Sequence, residues 1–338
     1  MTQTVKNTIS YGISFLLTVV FLYFAFRGTD FGELWTILRH ANYWWALAMI
    51  PMLFISHMLR AWRWEYLLRP VKQGLRYRNL FSSMIVGYMA NNVLPRIGEL
   101  ARPYALGKLE GVSRSAALGT VIVERIFDML SFLVVVSLIP LVYSGPLTQN
   151  FPWLVSVGIW STVCTLFILA LFVFLMMRRD IVERLLRLIT RHLSPKRGEV
   201  VERMTHSFLD GFLFLKDPRQ YLQIAVLSVF VWVFYIAMTF LPFYAFGLSN
   251  LGWDAALVVQ AISSIGFIVP TPGATGTNHY FVIETLTKLY NVNEEVARSY
   301  ATVTHAIGYL STMIVGIYFF LRDKLHIAEV SGKADGAR

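Results

Sequence analysis

The chain has 338 residues, of which 56% are hydrophobic and 15% charged, with a formal net charge of +10 and a mean hydropathy of +0.56. Soluble domains carry about a quarter charged residues, so this balance excludes an ordinary soluble enzyme and predicts an all-α, polytopic membrane protein. The basic excess fits cytoplasmic loops facing anionic lipid, and with no nucleic-acid motif present no nucleic-acid partner is expected.

Apolar runs near the roughly 20 residues needed to cross hydrocarbon predict six full spans, at 9–27, 43–63, 115–143, 152–177, 220–246 and 294–321. The first has no small-residue cleavage site and is taken as a retained span. Two further segments, 80–110 and 254–290, each pair short apolar helices around a Pro/Gly break, "NNVLPRIG" and "VPTPGATGTN". Each predicts a re-entrant helical hairpin, with two short tilted crossings as the alternative. Either way the chain returns to the side it left.

Basic residues set the orientation. Arg69, Lys72, Arg76 and Arg78 follow the second span, with Arg60 and Arg63 at its end, and ten basic residues lie from Arg178 to Arg219. The segments 144–151 and 247–253 hold none. Both termini are therefore expected in the cytoplasm, in a multi-pass protein of the bacterial inner membrane. The whole of 1–338 forms one membrane domain, with a first half at 9–143, a second half at 152–321, and a cytoplasmic tail at 322–338. Three crossings per half makes the second half inverted, the architecture of many transporters. The connection 178–219 is predicted to carry amphipathic surface helices at 181–193 and 199–215.

Polar residues in such a chain are costly and mark sites. In "GYMANNVLPRIGELARPYAL", Pro95 breaks the helix, and Asn91 and Asn92 are placed to satisfy freed backbone groups. The restarting helix would aim its N-terminus, with Arg96, at the membrane interior and favour an anion. Glu99 and Arg102 follow at three-residue spacing, so the three share a face. They serve either as a substrate site or as a lock on the hairpin. In "VIVERIFDML", Glu124, Arg125 and Asp128 lie about 15 Å inside their span. Arg125 and Asp128 are placed to pair, and Glu124 needs a cation from elsewhere, with Arg96 and Arg102 the candidates.

In the second break, Gly273 and Gly276 allow tight turns, and Thr275 or Thr277 is expected to cap the restarting helix. His279 lies in that helix's first turn, and His305 lies inside the last span. In "RAWRWEYLL", Arg60, Arg63 and Trp64 share one face, read as snorkelling anchors at the membrane surface or as contacts to lipid head groups. The single cysteine, Cys164, permits no intrachain disulfide. No metal is expected from seven scattered histidines, no cofactor is implied, and no nucleophile elbow or phosphate-binding loop is present.

The pieces "RAWRWEYLL", "NNVLPRIGELARPYAL", "VIVERIFD" and "PTPGATG" resemble, in order and spacing, the membrane domain of the lysylphosphatidylglycerol synthase/flippase family. The resemblance covers nearly the whole chain and implies movement of lipids between leaflets, with modified phospholipids or isoprenoid-linked lipids as substrates. Two departures stand out. The family pattern Pro-Gly-Gly-x-Gly-x-x-Glu here has Ala274 for its second glycine and His279 for its glutamate. No soluble aminoacyl-transferase domain follows, so lysine transfer is not expected. The expected function is a lipid transporter or flippase for an anionic phospholipid or isoprenoid-linked lipid, not an enzyme. An intramembrane lipid-modifying enzyme, or a non-transporting partner in an envelope-biosynthesis complex, stays open. The expected partner is an anionic membrane lipid, with homo-oligomers or envelope-biosynthesis proteins also open.

Overall fold

A computed structural model describes residues 3–145, 147–178, 205–206 and 219–326. The amphipathic segments expected at 181–193 and 199–215, and most of the tail, lie outside these residues. Among the described residues every regular element is helical: α1 (Gln3–Phe26), α2 (Phe31–His40), α3 (Tyr43–Leu47), α4 (Met49–Leu68), α5 (Tyr77–Val93), α6 (Gly98–Glu110), α7 (Arg114–Val142), α8 (Leu147–Asn150), α9 (Trp153–Met177), α10 (Arg219–Phe240), α11 (Trp253–Ser264), α12 (Thr277–Tyr290) and α13 (Glu294–Arg322).

Four stretches are long and apolar enough to cross a membrane: Tyr43–Leu68, Arg114–Val142, Gln220–Phe246 and Glu294–Arg322. A fifth follows if Gly12–Phe26 and Phe31–His40, bent by 87°, count as one. The bend has a local cause. The Asp30 carboxylate accepts from the backbone N–H groups of Gly32 and Glu33, at 2.8 and 3.1 Å, and starts a new helix. Phe31 and Trp35 of α2 stay exposed, the pattern of a helix lying along an interface. α9 is a further helix of 25 residues without a charged side chain.

The two broken segments fall where the prolines and glycines predict. α5 and α6 have 17 and 13 residues, and α11 and α12 have 12 and 14. At 1.5 Å per residue these are about 18–26 Å long, short of the ~30 Å hydrocarbon core. Within each pair the helices pack against one another, so each segment folds back as a hairpin. In the first hairpin the backbones touch: a Cβ on Gly98 would lie 2.0 Å from the Gly87 carbonyl oxygen, so no larger residue fits there. The hairpins also pack against the opposite half of the chain, α5 against α13 and α12 against α1.

Candidate functional site

The two breaks meet. In the first, Leu94 is extended and the Asn91 side chain accepts from the Gly98 N–H at 2.7 Å. Asn92 reaches across to α13, where its carbonyl accepts from the Tyr309 hydroxyl at 3.2 Å. Gly273, at the tip of the second hairpin, sits so close that an added Cβ would be 3.0 Å from Asn92 Oδ1. Arg96, exposed and at φ 63°, donates to the Ile268 carbonyl at 3.2 Å and bridges the two tips. The first helix restart is not the open anion cradle expected from the sequence. Its N–H groups are used locally, Gly98 by Asn91, Glu99 by the Arg96 carbonyl, and Leu100 and Ala101 by the Ile97 carbonyl.

The charged residues gather instead in a buried cluster built by α4, α6 and α7. Arg60 and Arg63, three apart on α4, face inward, while Met58 and Trp62 of the same helix stay exposed. Arg60 donates to Glu124 Oε1 at 2.8 Å, to Asp128 Oδ2 at 2.7 Å and to the Tyr235 hydroxyl at 3.1 Å. Arg63 pairs with Asp128, lies 3.4 Å from Glu124 Oε1, and donates to Ser228 Oγ at 2.9 Å. Arg102 crosses the face of Gly87 to reach Glu124 Oε2 at 2.6 Å. Its guanidinium lies 4.3 Å from the Trp64 ring centroid, a cation–π contact worth about 2 kcal/mol when desolvated. Arg125 is 3.3 Å from Glu124 and 3.2 Å from Asp128.

This corrects the surface reading of Arg60 and Arg63. They are 5% and 1% exposed, Arg102 is 3% and Glu124 is fully buried. The physical reason is partnership. Two carboxylates four apart on α7 repel unless cations lie between them, and the inward face of α4 supplies those cations. The pairing of Arg125 with Asp128 is present as the spacing predicts. Of the two candidate partners of Glu124, Arg102 takes the role and Arg96 does not. Arg96, Glu99 and Arg102 do not form one row, because the helix restarts at Gly98 and leaves Arg96 in the turn.

A cavity of about 630 Å³ opens beside this cluster and between the hairpins. Arg60, Arg63, Arg125 and Asp128 line it, together with Asn92, Arg96 and Glu99 of the first hairpin, Gly273 and Asn278 of the second, and His305 of α13. Phe132, Val259, Phe267 and Ile268 add apolar wall. Other predicted residues serve the hairpin itself. Thr277 does not cap with its side chain. Its Oγ1 lies 2.9 Å from the Gly266 carbonyl and 3.1 Å from that of Ala274, closing the break internally. Gly276, at φ 84°, donates its N–H to His279 Nδ1 at 3.4 Å. His279 is buried behind the tip, with its ring centroid 4.5 Å from that of His305. His305 Nε2 lies 3.0 Å from the Gly273 carbonyl.

Sequence reasoning missed His57, Tyr88 and Tyr235. His57 is buried, stacks on Tyr88 at 4.5 Å between centroids, and lines the cavity. The series His57, Arg60, Arg63, Trp64 along one helical face carried that signal. Among the described residues no group of His, Cys, Asp and Glu is arranged to hold a metal ion.

Broken helices enclosing a charged cavity, in a helical chain with several membrane-length segments, define a multi-pass membrane protein with an internal polar site. Residues 11–316 match the model of the lysylphosphatidylglycerol synthase transmembrane region, and the chain belongs to that family. It is 28% identical over 302 residues to a UPF0104 membrane protein of Methanothermobacter thermautotrophicus, covering 86% of this chain and 85% of the relative. It is 26% identical over 341 residues to a UPF0104 membrane protein of Methanocaldococcus jannaschii, covering 97% and 98%. No solved structure matches the chain.

Proposed function

We propose that this protein moves a lipid between leaflets and holds an anionic head group in the cavity between its hairpins. The observation that carries the reading is the cavity itself: an arginine-rich wall and an apolar wall, enclosed by two helix breaks that touch. A head group fits beside Arg60, Arg63 and Arg125, and its tails lie along the apolar side at Phe267 and Ile268, both exposed at the rim. Arg96, which ties the tips together, and Glu99, whose carboxylate has no partner among the described residues, act at the mouth. The substrate is an anionic phospholipid or an isoprenoid-linked lipid.

The transmembrane plan that supports this function is six spans and two re-entrant hairpins in an inverted repeat, in the plasma membrane, with both termini cytoplasmic. The basic loops after the second and fourth spans favour it. In a background with Cys164 replaced by serine, Ser144→Cys and Ser249→Cys should label from outside and Ser194→Cys only from inside. Outside labelling at 194 rejects the plan.

Glu124 and Asp128 are both held in arginine pairs, so within the cluster neither is free to act as a base. The test is reconstitution of the full chain in liposomes with fluorescent phosphatidylglycerol and phosphatidylcholine. Protein should speed the exchange of the anionic lipid. Exchange at the rate of empty vesicles for both lipids would sink the transport reading.

A further inference from the structure

We propose that the head group at this site is a phosphate monoester carrying two negative charges, rather than the singly charged diester of ordinary phospholipids. The inference rests on the anionic-lipid reading and narrows it. Its first support is the charge balance of the cluster. Arg60, Arg63, Arg102 and Arg125 contribute four positive charges against two negative ones from Glu124 and Asp128, which leaves two positive charges unmatched. Among the described residues Arg96 and Glu99 are the other charged residues lining the cavity, one of each sign, so the balance stands. Arg60, Arg63 and Arg102 are buried and Arg125 is partly exposed; unmatched charge at buried positions is unfavourable, and a dianion neutralises this site where a monoanion does not.

The second support is the kind of group that lines the cavity. Arg60, Arg63 and Arg125 line it, and arginine only donates, so a ligand there meets groups that call for acceptor oxygens. Three of the four arginines, and His57, are more than nine-tenths buried. A terminal phosphate offers three free oxygens, whereas a diester offers two. His57 stands one turn before Arg60 on α4, stacked on Tyr88, and lines the cavity while both its ring nitrogens stay buried.

The test compares lipids that share tails and differ by one methyl group. Purified full-length protein in non-ionic detergent is titrated at pH 8 with dioleoyl phosphatidic acid, dioleoyl phosphatidylmethanol and dioleoyl phosphatidylcholine. Glycerol 3-phosphate is added as a competitor without tails. Phosphatidic acid should bind about tenfold or more tightly than phosphatidylmethanol, the scale of one added charge-assisted contact. Arg125 is the most exposed arginine of the cluster, so Arg125→Gln keeps the fold and should cut that preference to about threefold or less.

Equal binding of phosphatidic acid and phosphatidylmethanol by the wild-type protein overturns the dianion and leaves the anionic-lipid reading intact. Equal binding of all three lipids overturns both. Glycerol 3-phosphate competing as well as phosphatidic acid moves the site to a soluble phosphate and overturns the lipid reading on which the proposal rests.

Discussion

The two hairpins use one backbone device and opposite chemistry. Each is a short helix, a break with left-handed residues, and a second short helix. The first break has one such residue, Arg96, and the second has Gly273, Ala274 and Gly276. The first hairpin carries Arg96, Glu99 and Arg102 within and just after its break. The second has no charged residue from Ile265 to Gly276 and closes itself with Thr277, backbone carbonyls and His279. Two hairpins built on one backbone device therefore need not share an electrostatic role. Here one brings charge to the cavity, and the other supplies neutral polar groups. The reason is economy of burial. Each buried charge needs partners, and α4 and α7 lie against the first hairpin, where they provide them.

The strongest way to break this contrast is Glu124→Gln. It leaves the buried Arg60, Arg63 and Arg102 short of a counter-charge and should cost about 3–5 kcal/mol of stability. A thermal unfolding scan in detergent reads this directly. An unchanged midpoint would mean that the cluster is not structural, and loss of transport in a stable variant would then assign Glu124 to turnover. Next is Gly98→Ala, which drives a methyl group into the Gly87 carbonyl. Overpacking of this kind costs about 1–3 kcal/mol, and trypsin sensitivity of the first hairpin should rise while the second is untouched.

In the second hairpin, Thr277→Val removes the hydroxyl that serves the Gly266 and Ala274 carbonyls. The loss should be about 1–2 kcal/mol, smaller than for Glu124 because no charge is orphaned. A larger loss than that of Glu124→Gln would reverse the contrast between the hairpins. The smallest stability effect belongs to Arg96→Ala. Arg96 is exposed and makes one hydrogen bond to the other tip, so the unfolding midpoint should hold to within about 0.5 kcal/mol. If Arg96 ties the tips together during transport, the exchange rate should change while stability does not. Equal shifts in both would reduce Arg96 to a structural brace.

Much of this molecule was legible before its structure. Membrane character follows from composition, because long uncharged helices have no other way to satisfy their backbone in lipid. The positions of the two breaks follow from Pro95, Pro270 and Pro272, which deny a backbone N–H to any continuing helix. The pairing of Arg125 with Asp128 follows from three-residue spacing on one helix, and the demand of Glu124 for a distant cation follows from its depth.

What the chain's local chemistry did not decide is who answers that demand. Arg60 and Arg63 lie 64 and 61 residues before Glu124. Local spacing assigned them to a surface, because an arginine at the end of an apolar run looks the same whether it reaches water or a buried carboxylate. Only the packing of α4 against α7 and α10 distinguishes the two. The same holds for the helix restart at Gly98. Sequence places a helix N-terminus there, but the Asn91 side chain folds back to consume its first N–H. Tertiary structure thus gathered the charge in an arginine cluster rather than at an open helix end, since hydrogen-bond donors already used at short range have nothing left to offer a ligand.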